Sequence, residues 1–152
     1  MSWQAVFTIT NMIAMAGWLI LAIAPRRPLP LAIVLYAAVA LLCLAYLAMF
    51  VALTSGFADP GRAGPAPAFD YSVAGLRAML ASDGGVTIAW THFLAFDLFV
   101  GLWIAKDADA KGFARLWQLP ILFATLMAGP IGLLAWLIVR EPAARRRARS
   151  IA

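Results

Sequence analysis

The chain has 152 residues, of which 64% are apolar and 12% charged. A soluble domain carries about 45–50% apolar and about 25% charged residues, and one this short has too much surface to hide the excess. A soluble globular fold is therefore excluded, and a mean hydropathy of +0.90 points to a bilayer as solvent. One cysteine, Cys43, and one histidine, His92, leave no partners for a disulfide scaffold, a zinc module, a redox CxxC or a Cys–His catalytic pair of the soluble kind. The net charge of +5 lies largely in the tail, which suggests anionic lipid headgroups and no nucleic acid.

In chain order, four apolar runs reach the roughly 20 residues that a membrane helix needs. Residues 3–24 form the first, stopped by Pro25-Arg26-Arg27-Pro28, and residues 31–54 form the second, with no charge inside. Residues 86–105 form the third, which holds His92 and Asp97, and residues 116–139 form the fourth, ended by Arg140. Runs of this length are helices, because barrel strands take only about 9–11 residues. The expected fold class is all-α. A four-helix transmembrane bundle fills one domain over 1–152, with a basic tail over 140–152.

The first run reads as a span and not a secretory signal. Met1-Ser2 carries no Lys or Arg, and the apolar stretch exceeds the about 7–15 residues of a signal core. No Arg- and Ser-rich transit segment precedes it, which favours a bacterial cytoplasmic membrane over an organelle.

The short links over 25–30 and 106–115 make two helical hairpins, joined by a longer link over 55–85. That link opens on a Pro/Gly-rich stretch, Asp59 to Pro67, which cannot be regular helix. It closes on Tyr71 to Leu80, where Val73, Leu76, Met79 and Leu80 fall at helical spacing. A short amphipathic interfacial helix is expected there, either a cap on the bundle or a lid over an opening. With four crossings, Arg62, Arg77, Arg140, Arg145, Arg146, Arg147 and Arg149 share the face of the N-terminus, against Arg26, Arg27, Lys106, Lys111 and Arg115. Seven against five places both termini in the cytoplasm.

The third run carries the candidate chemistry. Asp97 lies about 16 Å along the helix from Val86, near the bilayer centre, at 1.5 Å per residue. An ionisable group at that depth costs at least about 2.5–3.5 kcal/mol, so it needs a partner or a function. At about 100° per residue, Trp90, Phe93, Asp97, Gly101 and Ile104 share one stripe, while His92, Phe96, Phe99 and Trp103 share another. His92 and Asp97 are then about 140° apart around the axis and about 7.5 Å apart along it. They cannot pair on one face but can border one pocket from its two sides. Gly101 would admit a neighbouring helix or a flat ligand.

The fourth run carries Gly129-Pro130-Ile131-Gly132, where the missing proline N–H frees the carbonyl of Leu126 and a kink is expected. Gln118, Thr125, Asn11, Thr8 and Thr10 are the polar groups on offer to Asp97, and Arg140 lies too far along the helix for a salt bridge. Asp97 is expected to act as a hydrogen-bond or proton donor. The competing reading is that Asp97 and His92 only fasten helices together. Lys106, Asp107, Asp109 and Lys111 are expected in a solvated turn at headgroup level.

The pattern Trp90-x-His92-x-x-Ala95-Phe96-Asp97-Leu98-Phe99-Val100-Gly101-x-Trp103, then Asp107-Ala108, Gly112, Pro120 and Gly129-Pro130-x-Gly132-Leu133-Leu134, resembles the abscisic-acid-deficient-four-like membrane family. The stretch Gly75-Leu76-Arg77-Ala78-Met79-Leu80 resembles the same family's link. The resemblance covers residues 73–140. Plant members are implicated in making neoxanthin, an allenic carotenoid, from the epoxide violaxanthin. The resemblance therefore implies a redox-neutral isomerisation of a polyene in the membrane.

Such a reaction needs an acid for the epoxide oxygen and a base for the neighbouring carbon, but no metal and no redox cofactor. Asp97 would be the acid and His92 the base or its relay. Trp90, Phe93, Gly101, Gly129 and Pro130 would bind the substrate. The expected partners are membrane lipids and a hydrophobic polyene. Two other readings stand beside this one: carotenoid or retinoid binding without conversion, and an accessory subunit of a photosynthetic or respiratory membrane complex. A homo-oligomer is a further open arrangement.

Overall fold

The structure, a computed structural model, describes residues 2–58 and 72–151, with side chains through Glu141. The Pro/Gly-rich stretch over 59–67, including Arg62, and Tyr71 lie outside the described residues. The described chain is all helical, with no strand among its residues.

Helix α1 spans Trp3–Ile23. The Ser2 hydroxyl accepts from the Ala5 N–H to start it, and it stops at an extended Ala24 because the residue before Pro25 disfavours the helical region. Helix α2 spans Pro28–Thr54. Pro28 opens it with a preset φ, its interior over Ile33–Ala40 is wound as a π-helix, and Gly56 at φ 75° turns the chain away after it. Helix α3, Val73–Met79, is the expected short link helix, started by the Ser72 hydroxyl, and its Val73, Leu76, Met79 and Leu80 are exposed. Helix α4 spans Asp83–Ala110, started by Ser82 and ended before Gly112 at φ 75°.

Three helices, α1, α2 and α4, are long and apolar enough to cross a membrane. Helix α4 is the hub, burying Ala95, Leu98, Leu102, Ala105 and Ala108 against the others. In lipid, close approach at small residues holds helices together better than bulk apolarity does. Gly17 of α1 accordingly lets Leu98 and Ala38 come together, Gly84 of α4 seats the Trp3 ring, and Gly101 of α4 lies flat against the Trp18 indole.

The fourth apolar run departs from expectation. A single span over 116–139 does not form. The run is divided into α5, Arg115–Met127, and α6, Gly129–Ile151, by Ala128 at φ −156° and ψ 84°. Two contacts show that α6 turns back on α5. Gln118 Nε2 donates to Asp109 Oδ1 at 2.8 Å, and Trp136 Nε1 donates to Asp107 Oδ2 at 3.0 Å. Residues 118 and 136 would be about 27 Å apart in one straight helix. They bond instead to carboxylates two residues apart on α4. A Cβ on Gly132 would also overlap the hydroxyl and backbone of Thr125, which only a tight reversal brings together.

The reversal has a local cause. Proline inside a helix clashes with the preceding turn, but in the first turn of a new helix it is at home. Pro130 is the second residue of α6, whose first bonds run from the Ile131 and Gly132 N–H groups to the Ala128 carbonyl at 2.9 and 3.2 Å. What was expected as a kink is a helix end followed by a helix start. The tip of this hairpin reaches Asp97, in the middle of α4, and stops there.

The expectation that both chain termini share one face rested on four crossings. Trp3 packs beside Gly84 at the start of α4, whereas Arg140 pairs with Asp107 near the end of α4. Trp3 and Arg140 thus lie at opposite ends of α4.

Candidate functional site

Asp97 and His92 both sit on the long α4, but they meet different neighbours. Asp97 is partly buried at the hairpin tip, where its carboxylate lies so close to Gly129 that a Cβ there would overlap it. Gly129 begins α6, so the carboxylate rests at the positive end of that helix. Pro130 has no N–H, which leaves the Gly129 N–H as the first donor of the tip.

The polar groups expected to serve Asp97 are all engaged elsewhere. Gln118 bonds Asp109 and the Phe113 carbonyl, and Thr125 bonds back to the Ile121 carbonyl. Asn11 holds Phe7 O and accepts from Trp90 Nε1, while Thr8 and Thr10 bond to carbonyls of their own helix. Among the described residues Asp97 has no hydrogen bond and no ion pair, and the expected absence of an Arg140–Asp97 bridge agrees with Arg140 pairing Asp107 instead.

His92 faces α2. Its ring lies 4.6 Å from Phe96 and 5.8 Å from Tyr46, centroid to centroid, with Phe93 edge-on at 6.0 Å. Cys43, Tyr46, His92, Ala95 and Phe96 line a cleft of about 240 Å³ between α2 and α4. His92 and Cys43 are exposed there, so the cleft opens sideways toward what would be lipid. The lone histidine and the lone cysteine share this cleft. The ring nitrogens of His92 have no hydrogen-bond partner among the described residues.

Between the two groups lies an aromatic surface. At about 100° per residue the order around α4 is His92, Phe96, Phe93, Asp97. Phe93 and Phe96 are each 57% exposed, so the arc joining His92 to Asp97 is open. Trp90 is a fastener, stacked on Phe7 at 6.1 Å and bonded to Asn11 Oδ1 at 3.1 Å. Of the two occupants expected at Gly101, a neighbouring helix or a flat ligand, the structure places the helix, whose Trp18 ring fills the space.

At its far end α4 continues past residue 105, and the solvated turn expected around Asp107 and Asp109 is instead a paired cluster. Asp107 meets Lys111, Trp136 Nε1 and Arg140 Nε, the last at 3.3 Å, and Arg140 also stacks over Trp103 at 5.3 Å. Asp109 meets Gln118 and, at 3.4 Å, Arg26 Nε. Arg26 Nη1 and Arg115 Nη2 close the end of α1 by donating to the carbonyls of Leu21, Ala22 and Ala24. Burial lowers the Arg26 pKa from its ordinary value, the Asp109 carboxylate opposes that, and Arg115 adds to the lowering.

Sequence reasoning missed Cys43, Tyr46 and this cluster. The cluster had a signal, the i,i+4 spacing of Asp107 and Lys111. The α2 side of the cleft had none, because an uninterrupted apolar run does not reveal which face meets the histidine.

A model of the ABA DEFICIENT 4-like family matches residues 5–136. No curated protein and no solved structure matches the chain. The match covers most of the chain, including the first two helices, and the chain belongs to that family.

Proposed function

We propose that this member of the ABA DEFICIENT 4-like family is an integral membrane protein that takes a carotenoid from the bilayer and isomerises it without a redox cofactor. The observation that carries this reading is the state of Asp97 and His92. Both lie well inside a membrane-length helix, and neither has a hydrogen bond or an ion pair among the described residues. An ionisable group at such depth is costly, and one that makes no structural pairing is by default a functional-site hypothesis. Phe96 and Phe93 supply a lipid-facing aromatic surface from one to the other, on which a polyene can lie. The cleft at Cys43 and Tyr46 is large enough for an end ring and not for a whole carotenoid.

In this reading Asp97 gives its proton to the epoxide oxygen as the C–O bond opens, and the polyene spreads the positive charge. Loss of a proton from the neighbouring carbon then forms the new double bond, with His92 as the base or its relay. One proton enters and one leaves, so no electrons are transferred and no metal is required. Gly129 and Pro130 place the tip of α6 beside Asp97. Trp90 and Gly101 act on the site indirectly, through Asn11 and Trp18. The membrane is proposed to be a bacterial cytoplasmic membrane.

A second reading, binding without conversion, is supported by the His92 cleft, which does not require Asp97. Purification from a carotenoid-producing host tests both. Coloured protein whose pigment changes chromatographic identity on incubation is the expected result, and His92→Leu should reduce the pigment held. Coloured protein with unchanged pigment selects the second reading. Colourless protein from pigmented membranes, or copurification in fixed ratio with a large complex, overturns both.

A further inference from the structure

We infer that the chain crosses the bilayer three times, that α5 and α6 form a re-entrant hairpin, and that the N-terminus lies outside the cytoplasm while the C-terminus lies inside. This rests on the membrane setting of the chain and not on any ligand. Both ends of the hairpin are tied to one end of α4, by Gln118 to Asp109 and by Trp136 and Arg140 to Asp107. Its tip, at Gly129, stops at Asp97. From Asp97 to Asp107 is about 15 Å along α4, half a hydrocarbon core of about 30 Å.

Broken helix at membrane depth is tolerated where protein covers it. Here Gly129 and Gly132 are buried, the latter on Thr125. A hairpin of this kind returns the chain to the face it left.

That return redistributes the charge. Arg26, Arg27, Lys106, Lys111, Arg115 and Arg140 now share one face with the four arginines of the tail, and Arg62 and Arg77 are left to the other. Four crossings split the basic residues seven against five. Three crossings and a hairpin split them ten against two, a decided bias for the positive-inside rule. The face that carries α3 is then the outer one.

The test is an epitope tag at each terminus of the full chain, read with antibody in intact and in permeabilised cells. The N-terminal tag should be bound in intact cells, and the C-terminal tag should lose its signal unless the cells are permeabilised. Both tags in the same state overturns the hairpin, because it restores an even number of crossings. An exposed C-terminal tag with a hidden N-terminal one overturns the assigned polarity. Glu141→Cys in a Cys43→Ser background supplies a second readout, and its thiol is the one probed. It should resist an impermeant thiol reagent in intact cells, and full labelling there contradicts the inference.

Discussion

At the C-terminal end of α4, Asp107 and Asp109 are held by Lys111, Arg140, Trp136, Gln118 and Arg26. Ten residues earlier on the same helix, Asp97 lies against a glycine with no hydrogen bond or ion pair among the described residues, and His92 is set among aromatic rings. The two regions differ in what their charges do for the fold. The end cluster anchors α1, α5 and α6 to α4, so its carboxylates are spent on architecture. The middle pair makes no hydrogen bond or ion pair between helices, although an ionisable group there is the more costly of the two to keep. Stability should therefore depend on the first region and chemistry on the second.

Asp107→Ala should have the largest effect on stability. It strips partners from Lys111, Trp136 and Arg140 together, and the Asp107 and Arg140 side chains are only 16% and 26% exposed. A loss of about 3 kcal/mol is expected, at the low end for breaking a buried ion pair, read as thermal unfolding in detergent. Gly129→Ala comes next. Its new methyl overlaps the Asp97 carboxylate and should cost about 2 kcal/mol by overpacking. The same change in an Asp97→Gly background should cost much less, so additive losses would show that the two do not touch. Trp90→Phe keeps the stack on Phe7 and removes the bond to Asn11. A loss of about 0.6 kcal/mol is expected, the usual worth of a hydrogen bond between membrane helices. Asp97→Asn, which keeps shape and breaks no pairing, should change stability by less than about 0.5 kcal/mol.

The same contrast governs how much was legible in the sequence. Three membrane-length helices follow from apolar runs alone, and Val73 to Leu80 announced α3 through its spacing. Asp97 stood out because it is a carboxylate inside such a run. The return of α6 was not legible by length, since a largely apolar run of 24 residues suits a span and a hairpin equally. Its signal was Pro130 next to Gly129, read as a kink because a bend and a new helix start require the same residues. The paired end cluster escaped for a different reason. Asp107 and Asp109 look solvated until Arg26, Gln118, Trp136 and Arg140 are brought to them from distant parts of the chain. Gly101 was legible as a place of close helix approach, but which residue comes there, Trp18 of α1, is not written on its own helix face.

The most direct test is the pigment profile of Asp97→Asn, produced in carotenoid-making cells beside the unaltered chain and Asp107→Asn, at matched amounts of folded protein. Asp97→Asn should unfold at the unaltered temperature and no longer convert pigment, while Asp107→Asn should unfold earlier and still convert it when folded. Full conversion by Asp97→Asn would contradict this.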